Sequence, residues 1–417
     1  MSMTLSEELS WRGFVNQTTF KDITELDKET RTFYWGVDPS SDSMQIGNLA
    51  AGMMARCFME HGYKAILLVG GATGLIGDPD GKDDERELKS LDEVAKNKAG
   101  IAAQYTKVFS GKDFETVDNY DWFKGLGYLE FLRDVGKHVP MRMMLGRDFV
   151  QSRLKEDGAG ISYAEFSYSL IQGYDFLHLY KEKGATLQVC GADQWGNSIA
   201  GVDLIRRIAG GEAHIWSLPL IINKATGKKF GKTEDGAIWL DENKTSIYKF
   251  YQFWLNADDE GVEAYLKIYT LLQKDEIDSV TEEFKHNPQE RKAQKTLAYE
   301  VTKLVHGSVR AEAVRRVSET LFGGAAYSEL TVDDFAVLKQ ELPQVHAVVD
   351  DTTIISTLVK TGLSTSNSDA RRMLESSAVY INGEQLPLNK NTFGNKNIIN
   401  GHAVLRVGKN KNALIQF

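Results

Sequence analysis

Short apolar runs alternate with longer amphipathic stretches along the first half of the chain. The runs favour strands and lie at 32–38, 65–69, 185–190 and 218–223. The stretches between them have the three-to-four residue spacing of apolar positions that is typical of helices. Apolar strands separated by helices indicate a parallel sheet covered by helices. The pattern therefore predicts an α/β fold.

The pattern changes in the second half, where strand-like runs stop from about 245 to 320 and helical spacing continues. The polar stretch that follows is typical of a linker. The last residues combine two short predicted helices with "AVYING" and "HAVLRV", which have strand character. The predicted divisions are an α/β domain (1–222), a loop and connection (223–247), a helical domain (248–320), a linker (321–350) and a small α+β domain (351–417).

Length and composition place the chain among multidomain globular proteins. Its 417 residues exceed the roughly 250 to 300 at which single cores stop growing. No apolar run approaches the roughly 20 residues that span a bilayer, and the N-terminus lacks the features of a targeting segment. We therefore expect a cytoplasmic protein. Cys57 and Cys190 lie in apolar stretches, which predicts reduced core thiols and no structural metal.

Charge is distributed unevenly. The net charge of -9 argues against a protein that coats nucleic acid indiscriminately. Residues 351–417, however, hold eight Lys and Arg against four Asp and Glu. This basic tail indicates either an RNA or DNA ligand or an ordinary solvated surface.

The segment "TFYWGVDPSSDSMQIGNLA", residues 32–50, joins a strand to a helix. Asp38-Pro39 ends the strand, and a helix begins near Gly47-Asn48. Asn is a favourable N-cap, and glycine lets a ligand approach the backbone. Because free N–H groups and the helix dipole attract anions, we interpret this turn as a candidate phosphate site. The alternative is an ordinary strand-to-helix turn.

Three polar side chains share one predicted helical face in "EFSYSLIQGYDFLHLY". Tyr168, Gln172 and Asp175 are spaced by four and three residues, with apolar neighbours. A buried polar group without a partner costs roughly 1 to 3 kcal/mol. The row therefore indicates either a bound polar ligand or a hydrogen-bonded network among the three residues.

Two further segments carry polar groups beside glycines. "GADQWGN" (191–197) follows a strand, so Asp193 and Gln194 either bind hydroxyls or a carboxylate or brace the turn. "NKATGKKFGKTEDG" crowds lysines into a loop, which suits closure over a polyphosphate or a solvated basic hairpin. Its lysines include Lys228, Lys229 and Lys232. The sequence contains no GxxxxGK[ST] phosphate-binding loop.

Taken together, these segments resemble the bacterial-type tyrosyl-tRNA synthetases, a family of class I aminoacyl-tRNA synthetases. The segments, in the family's order, are "GGATGLIGDP" (70–79), "YDWF" (120–123), "EFSYSLIQGYDF" (165–176), "GADQWGN" (191–197) and "KFGKT" (229–233). The resemblance implies a Rossmann-like catalytic domain, an α-helical anticodon-side domain and a small RNA-binding domain. It also implies that L-tyrosine attacks the α-phosphate of ATP and is then transferred to the 3′ end of tRNA(Tyr).

The resemblance further implies roles for individual residues. Tyr34 and Asp175 would hold the phenol hydroxyl of tyrosine, and Gln194 would lie near its carboxylate. The residues implied for the ammonium group are Asp78, Tyr168 and Gln172. Those implied for ATP are Gly36, Asp38, Gly47, Gly191 and Asp193, with Asp193 near the ribose. The pyrophosphate, whose charge Mg would share, would meet Lys82, Arg86, Lys229, Lys232 and Thr233.

The chain departs from the family at its ATP end. "QIGN" occupies the place of the family's HIGH sequence, so Gln45 and Asn48 replace two histidines. Amide nitrogens can overlay the ring nitrogens of histidine, and hydrogen-bond donation needs no titrating proton. We expect activity to be retained, with a rate less sensitive to pH near neutrality. Trp35 and Ala51 replace smaller or polar groups near the ribose, where Trp35 would either stack or crowd.

The tail from 353 to 386 resembles a small RNA-binding module named after a ribosomal small-subunit protein. Lys360, Arg371 and Arg372 would then contact RNA phosphates and give salt-dependent affinity. The family also implies a homodimer formed through the catalytic domain. Two other functions stay open: a nucleotidyltransferase of the same superfamily, and an RNA-binding relative that has lost its ATP site, for which Gln45 is the only support.

Overall fold

The computed structural model describes residues 3–79, 88–155, 158, 160–233, 236–322, 325–387, 390–408 and 411–417. The chain divides into two compact units, Met1–Asp241 with Ala257–Leu297, and Glu242–Asn256 with Ala298–Phe417. No helix in the described part of the chain has both the length and the apolar character needed to cross a membrane.

The described residues of the two units form α-helices and β-strands, numbered here in chain order. The helices are α1 (Leu5–Arg12), α2 (Ile46–Glu60), α3 (Thr73–Ile76), α4 (Leu91–Val108), α5 (Tyr120–Phe123), α6 (Tyr128–Asp134), α7 (Met141–Leu145), α8 (Asp148–Arg153), α9 (Tyr163–Lys183), α10 (Trp195–Leu204), α11 (Ile247–Leu255), α12 (Val262–Tyr269), α13 (Lys274–His286), α14 (Lys292–His306), α15 (Ser308–Leu321), α16 (Val332–Glu341), α17 (Ile354–Lys360) and α18 (Asn367–Glu375). The strands are β1 (Thr32–Val37), β2 (Lys64–Val69), β3 (Phe114–Asp118), β4 (Ala185–Gly191), β5 (His214–Leu218), β6 (Lys232–Thr233), β7 (Gly236–Ala237), β8 (Gln344–His346), β9 (Val379–Ile381), β10 (Glu384–Gln385), β11 (His402–Val407) and β12 (Lys411–Gln416).

A parallel sheet in the order β3-β2-β1-β4-β5 forms the centre of the first unit. Tyr34 and Trp35 are adjacent on β1, yet both are buried. This is possible because helices cover both faces: Tyr34 packs on Phe176 of α9, whereas Trp35 packs on Tyr105 of α4. The sheet confirms the predicted α/β class.

The predicted strands differ from the structure in two places: one predicted run is not a strand, and one strand was not predicted. The run 218–223 is not a strand; β5 ends at Leu218, and Pro219 directly after it lacks the N–H that further pairing would require. Strand β3 escapes prediction because its sequence, "FETVD", is partly exposed at the edge of the sheet, so charged residues interrupt the apolar run.

The second unit contains a mixed sheet in the order β10-β9-β11-β12-β8. Strands β9, β11 and β12 pair antiparallel, whereas β8 pairs parallel to β12. Helices α17 and α18 bury Ile354, Leu358 and Ala370 in the core of this sheet, together with Leu405 of β11. The two predicted helices and the two strand-like segments of the tail are therefore present.

The predicted linker 321–350 is wrong where it contains α16 and β8. Helix α16 is capped by Thr331, whose side chain accepts a hydrogen bond from the Asp334 N–H, and it buries Phe335. Acidic residues in its first turn hide this apolar face in the sequence. The predicted helical segment 248–320 is also divided, because α12 and α13 belong to the first unit and α11 and α15 to the second.

Candidate active site

The carboxyl ends of β1 and β4 lie side by side where the strand order changes direction. Strands β2 and β3 continue from β1 on one side, and β5 continues from β4 on the other. Parallel α/β sheets bind ligands in the crevice at such a point. The predicted site residues on or directly after these two strands are Tyr34, Gly36, Asp38, Gly191, Asp193 and Gln194.

Asp38, directly after β1, accepts two side-chain hydrogen bonds. Its Oδ1 accepts from the Thr73 hydroxyl and its Oδ2 from the Tyr168 hydroxyl, each at 2.6 Å. Gly70 leaves the necessary space, because a Cβ there would lie 2.2 Å from Asp38 Oδ1. Burial, with the nearby Asp38 charge, raises the pKa of Tyr168, so its hydroxyl stays protonated and joins α9 to the end of β1.

Asp175 on α9 is a buried carboxylate with only 2% of its surface exposed. Its Oδ2 accepts from Asn119 Nδ2 at 3.0 Å, and its Oδ1 accepts from Trp122 Nε1 at 2.9 Å. Burial raises the pKa of Asp175 to about 8, although both donors favour the ionised form. No role for Asn119 or Trp122 is predicted from the sequence, although the "YDWF" segment, which contains Trp122, was an available signal.

Among the predicted tyrosine-binding residues, two buried polar atoms, Tyr34 Oη and Gln172 Oε1, have no hydrogen-bond partner in the described part of the chain. Burial, and after it the charge of Asp175, raises the pKa of Tyr34, so this hydroxyl also stays protonated. Tyr168 and Asp175 bond to residues outside the polar row of α9, so the contacts do not form a network within the row. Unpartnered buried polar groups favour the alternative, a polar ligand.

Gln194 brings two carboxylates together after β4. Its Nε2 donates to Asp78 Oδ2 at 2.5 Å and to Asp193 Oδ2 at 3.1 Å. Gly191 is needed beside them, because a Cβ there would lie 2.5 Å from Asp193 Oδ1. Two carboxylates held this close favour a cationic group or hydroxyl donors of a ligand.

Helix α2 begins at Ile46, and Gln45 is its N-cap residue. The predicted N-cap, Asn48, instead lies in the first turn, where its Oδ1 accepts from the Gln45 N–H at 3.0 Å. Its amide NH₂ therefore remains as the donor toward a ligand. A Cβ at Gly47 would have no neighbour within 4 Å, so the backbone is open there. The helix start can therefore receive an anion.

The lysine-rich loop is anchored beside the start of α2. Leu240 N–H donates to Met44 O at 2.9 Å, and Phe230 is buried with its ring stacked on Tyr265 at 4.1 Å. Lys229, next to this anchor, is exposed. The other lysine-loop residues named from the sequence, Lys232 and Thr233, form β6. The predicted pyrophosphate ligands Lys82 and Arg86 lie outside the described residues.

Trp35 lies in the core between β1 and α4. Its ring centroid is 5.5 Å from that of Tyr105 and 5.9 Å from that of Phe109. Because side chains alternate along a strand, it points away from the face that carries Tyr34. Ala51 is likewise buried on α2. Trp35 therefore contributes to helix packing behind the strand.

The three basic residues predicted to contact RNA are exposed in the second unit. Lys360 ends α17, and Arg371 and Arg372 lie on α18. Arg372 pairs with Asp369 at 2.7 Å. Arg371 lines a groove to which Ser356 of α17 also contributes. The helix pair thus presents basic side chains to solvent.

Together, the sheet order, the open helix start, the lysine-rich loop anchored beside it and the buried unpartnered polar atoms match a class I aminoacyl-tRNA synthetase. Residues 26–323 match the family model of class I tRNA synthetases (W and Y), and residues 334–415 match the tyrosine–tRNA ligase SYY-like C-terminal domain. The chain belongs to the tyrosine–tRNA ligase family. The resemblance stated from the sequence is confirmed.

Similar proteins cover the whole chain. A tyrosine–tRNA ligase of Staphylococcus haemolyticus (strain JCSC1435) is 43% identical over 424 residues, and one of Geobacillus stearothermophilus is 44% identical over 423, with 100% of each chain covered. Among solved structures, a C-terminally truncated mitochondrial tyrosyl-tRNA synthetase of Aspergillus nidulans is 32% identical, with a TM-score of 0.70. That match covers 77% of this chain and 95% of the other.

The raised pKa of Asp175 predicts how stability depends on pH. The unfolded chain loses this proton near pH 4, whereas the folded chain keeps it up to about pH 8. The contribution of this group to the free energy of unfolding is therefore lost as pH rises between these values. We expect Asp175→Asn to lose less stability than the parent over this range in urea unfolding. Asp121→Asn, at an exposed carboxylate, is the control; equal pH slopes for Asp175→Asn and the parent would contradict the assignment.

Proposed function

We propose that this protein activates L-tyrosine with ATP and charges tRNA(Tyr) in the cytoplasm. A tyrosine carboxylate oxygen attacks the α-phosphorus of ATP, pyrophosphate leaves, and tyrosyl-adenylate forms. A hydroxyl of the 3′-terminal adenosine of the tRNA then attacks the tyrosyl carbonyl, and AMP leaves. The observation that carries the proposal is the pair of buried, unpartnered atoms Tyr34 Oη and Gln172 Oε1 within a synthetase fold.

The two atoms suit the two polar ends of tyrosine. Tyr34 Oη can donate to the phenol oxygen, and the carbonyl oxygen of Asp175 has a second lone pair with which to accept the phenol proton. Gln172 Oε1 is an acceptor, as an ammonium group requires. With Asp78 and Tyr168 it would hold that group, and Gln194 would lie near the carboxylate.

ATP would occupy the edge formed by the ends of β1 and β4 and the start of α2. Gly36, Gly47 and Gly191 let the nucleotide approach the backbone, and Asp38 and Asp193 supply acceptors for its hydroxyls. Gln45 and Asn48 would donate to its phosphates. Mg²⁺ enters with ATP as part of the substrate. The pyrophosphate would meet the cations Lys82, Arg86, Lys229 and Lys232, whose charges stabilise the leaving group, and the neutral hydroxyl of Thr233.

The basic surface of α17 and α18 supports RNA binding by the tail. Lys360, Arg371 and Arg372 are exposed, and cations on one surface give affinity through phosphate contacts. We assign this surface to tRNA(Tyr), with the salt dependence that such contacts produce.

Tyr34→Phe tests the amino-acid pocket. We expect the KM for tyrosine in pyrophosphate exchange to rise about threefold to tenfold, which is the worth of one neutral hydrogen bond. Use of phenylalanine should not fall, because the variant no longer leaves a buried hydroxyl unpaired; this family is itself a standard example of that effect. Tyr105→Phe, which removes a buried hydroxyl bonded to Leu68 O, is the matched control.

Pyrophosphate exchange also distinguishes the proposed function from the two alternatives, a nucleotidyltransferase and an RNA-binding relative. A nucleotidyltransferase would not require tyrosine for exchange, and an RNA-binding relative without an ATP site would give no exchange. Either result in the wild-type protein would refute the proposal. Pyrophosphate exchange without charging of tRNA would support the first reaction step and would contradict only the role assigned to the RNA-binding tail.

Gln45→His tests the amide at the ATP end. The wild-type rate of adenylate formation should change little across neutral pH, because an amide donor does not titrate. The variant should acquire a dependence near pH 6.5, the ordinary pKa of histidine, with the rate falling as the ring loses its proton. Single-turnover rates measured between about pH 6 and pH 8 would show the difference. A titrating step of equal size in both proteins would disprove this role.

The first unit also carries a candidate dimer surface. Helices α6 and α7 expose Tyr128 (61%), Leu129 (79%) and Met141 (57%), and exposed apolar groups of this size mark interaction sites. We propose a homodimer through this surface. Light scattering should give a dimer for the wild type and about tenfold weaker association for Leu129→Asp, whereas Val309→Asp, at an exposed residue of α15, should not change it. A monomeric wild type would refute the surface.

A further inference from the structure

A chain of directed hydrogen bonds reaches the paired carboxylates from the segment between α7 and α8. Arg147 Nη1 donates to Asn197 Oδ1 at 2.7 Å, and Nη2 donates to Gly196 O at 2.6 Å. Asn197, on α10, is buried with 3% exposure, and its Nδ2 donates to Gln194 Oε1 at 3.3 Å. Gln194 Nε2 in turn donates to the carboxylates of Asp78 and Asp193.

The direction of this chain follows from its first member. A guanidinium group has only donors and keeps its charge, so the atom of Asn197 that faces Arg147 must be the amide oxygen. The NH₂ of Asn197 must then face Gln194, which must present its own oxygen there. The NH₂ of Gln194 is thereby directed at the two carboxylates. Without Arg147, the two carboxylates alone would oppose a turn of these amides by 180°.

We propose that Arg147 is a positioning residue that fixes the amide orientation of Gln194 through Asn197. With the amides inverted, the carbonyl oxygen of Gln194 would face Asp78 and Asp193, and three acceptors would repel one another. The carboxylates would separate, and the ammonium group of tyrosine would lose the geometry of Asp78. This inference rests on the proposed function, since Asp78 is assigned there to the ammonium group.

The test compares two substitutions that differ in hydrogen-bond direction. Arg147→Lys keeps a donor-only group, whereas Arg147→Gln offers either a donor or an acceptor to Asn197. Asn197→Asp keeps the acceptor for Arg147 but cannot donate to Gln194. We expect Arg147→Gln and Asn197→Asp to weaken tyrosine binding about tenfold, and Arg147→Lys to retain most of it. Arg206→Gln, at an exposed ion pair with Asp203, is the control.

Binding is measured at equilibrium by calorimetry, with L-tyrosine and with 3-(4-hydroxyphenyl)propionate, which lacks the ammonium group. The loss in Arg147→Gln and Asn197→Asp should be larger with L-tyrosine than with the analogue, an asymmetry that general loosening of the fold would not produce. Thermal unfolding of each variant identifies the folded fraction. The KM for tyrosine should rise more than kcat falls.

The outcomes separate this inference from the proposed function. A wild-type protein that does not bind L-tyrosine refutes the proposed function. If the wild type, Arg147→Gln and Asn197→Asp all bind L-tyrosine equally well, the positioning role of Arg147 is overturned and the proposed function stands. Equal losses for L-tyrosine and the analogue, or failure of Arg147→Lys to retain binding while it remains folded, also overturn it.

Discussion

The site depends on one constraint. Polar groups are buried where the strands end, and their burial costs free energy unless hydrogen bonds compensate for the lost water. Asp175 lies in the core of this edge, and an isolated charge there would be strongly disfavoured. Asn119 and Trp122 satisfy one lone pair on each oxygen. Burial still raises the pKa of Asp175 to about 8. The carboxyl group of Asp175 is therefore held in place, but its hydrogen-bonding capacity is only partly used. A further donor from a ligand would stabilise it.

The parallel sheet brings segments that are distant in sequence to one edge, where they can supply the hydrogen bonds that these buried groups need. Every strand of the first sheet ends at the same edge, so Asp38 after β1, Asn119 after β3 and Gln194 after β4 approach one another although the sequence separates them widely. Glycine gives the backbone room where carboxylates crowd it, as at Gly70 beside Asp38. Residues on α9 then bridge the strand ends, since Tyr168 reaches Asp38 across the crevice.

The sequence predicted what is encoded locally. Buried central strands appear as apolar runs, and the row of Tyr168, Gln172 and Asp175 is visible from helical spacing alone. Edge strand β3 and helix α16 were missed because charged residues on their solvent sides mask the apolar pattern. The partners of Asp175 were missed, because Asn119 and Trp122 contact it only through the tertiary fold. The same holds for the side chain of Asn48, which turns back onto the backbone.

Amides at Gln45, Asn48, Gln194 and Asn197 give the site an unusual dependence on the direction of hydrogen bonds. An amide keeps one donor and one acceptor end at every pH, so its contribution depends on which end a neighbour fixes. The backbone N–H of Gln45 fixes Asn48 in this way. At the start of α2, the N–H groups and the helix dipole attract an anion whatever side chain stands at position 45. Replacement of imidazoles by amides at this end therefore separates phosphate binding from protonation, whereas the raised pKa of Asp175 places a titrating group at the amino-acid end.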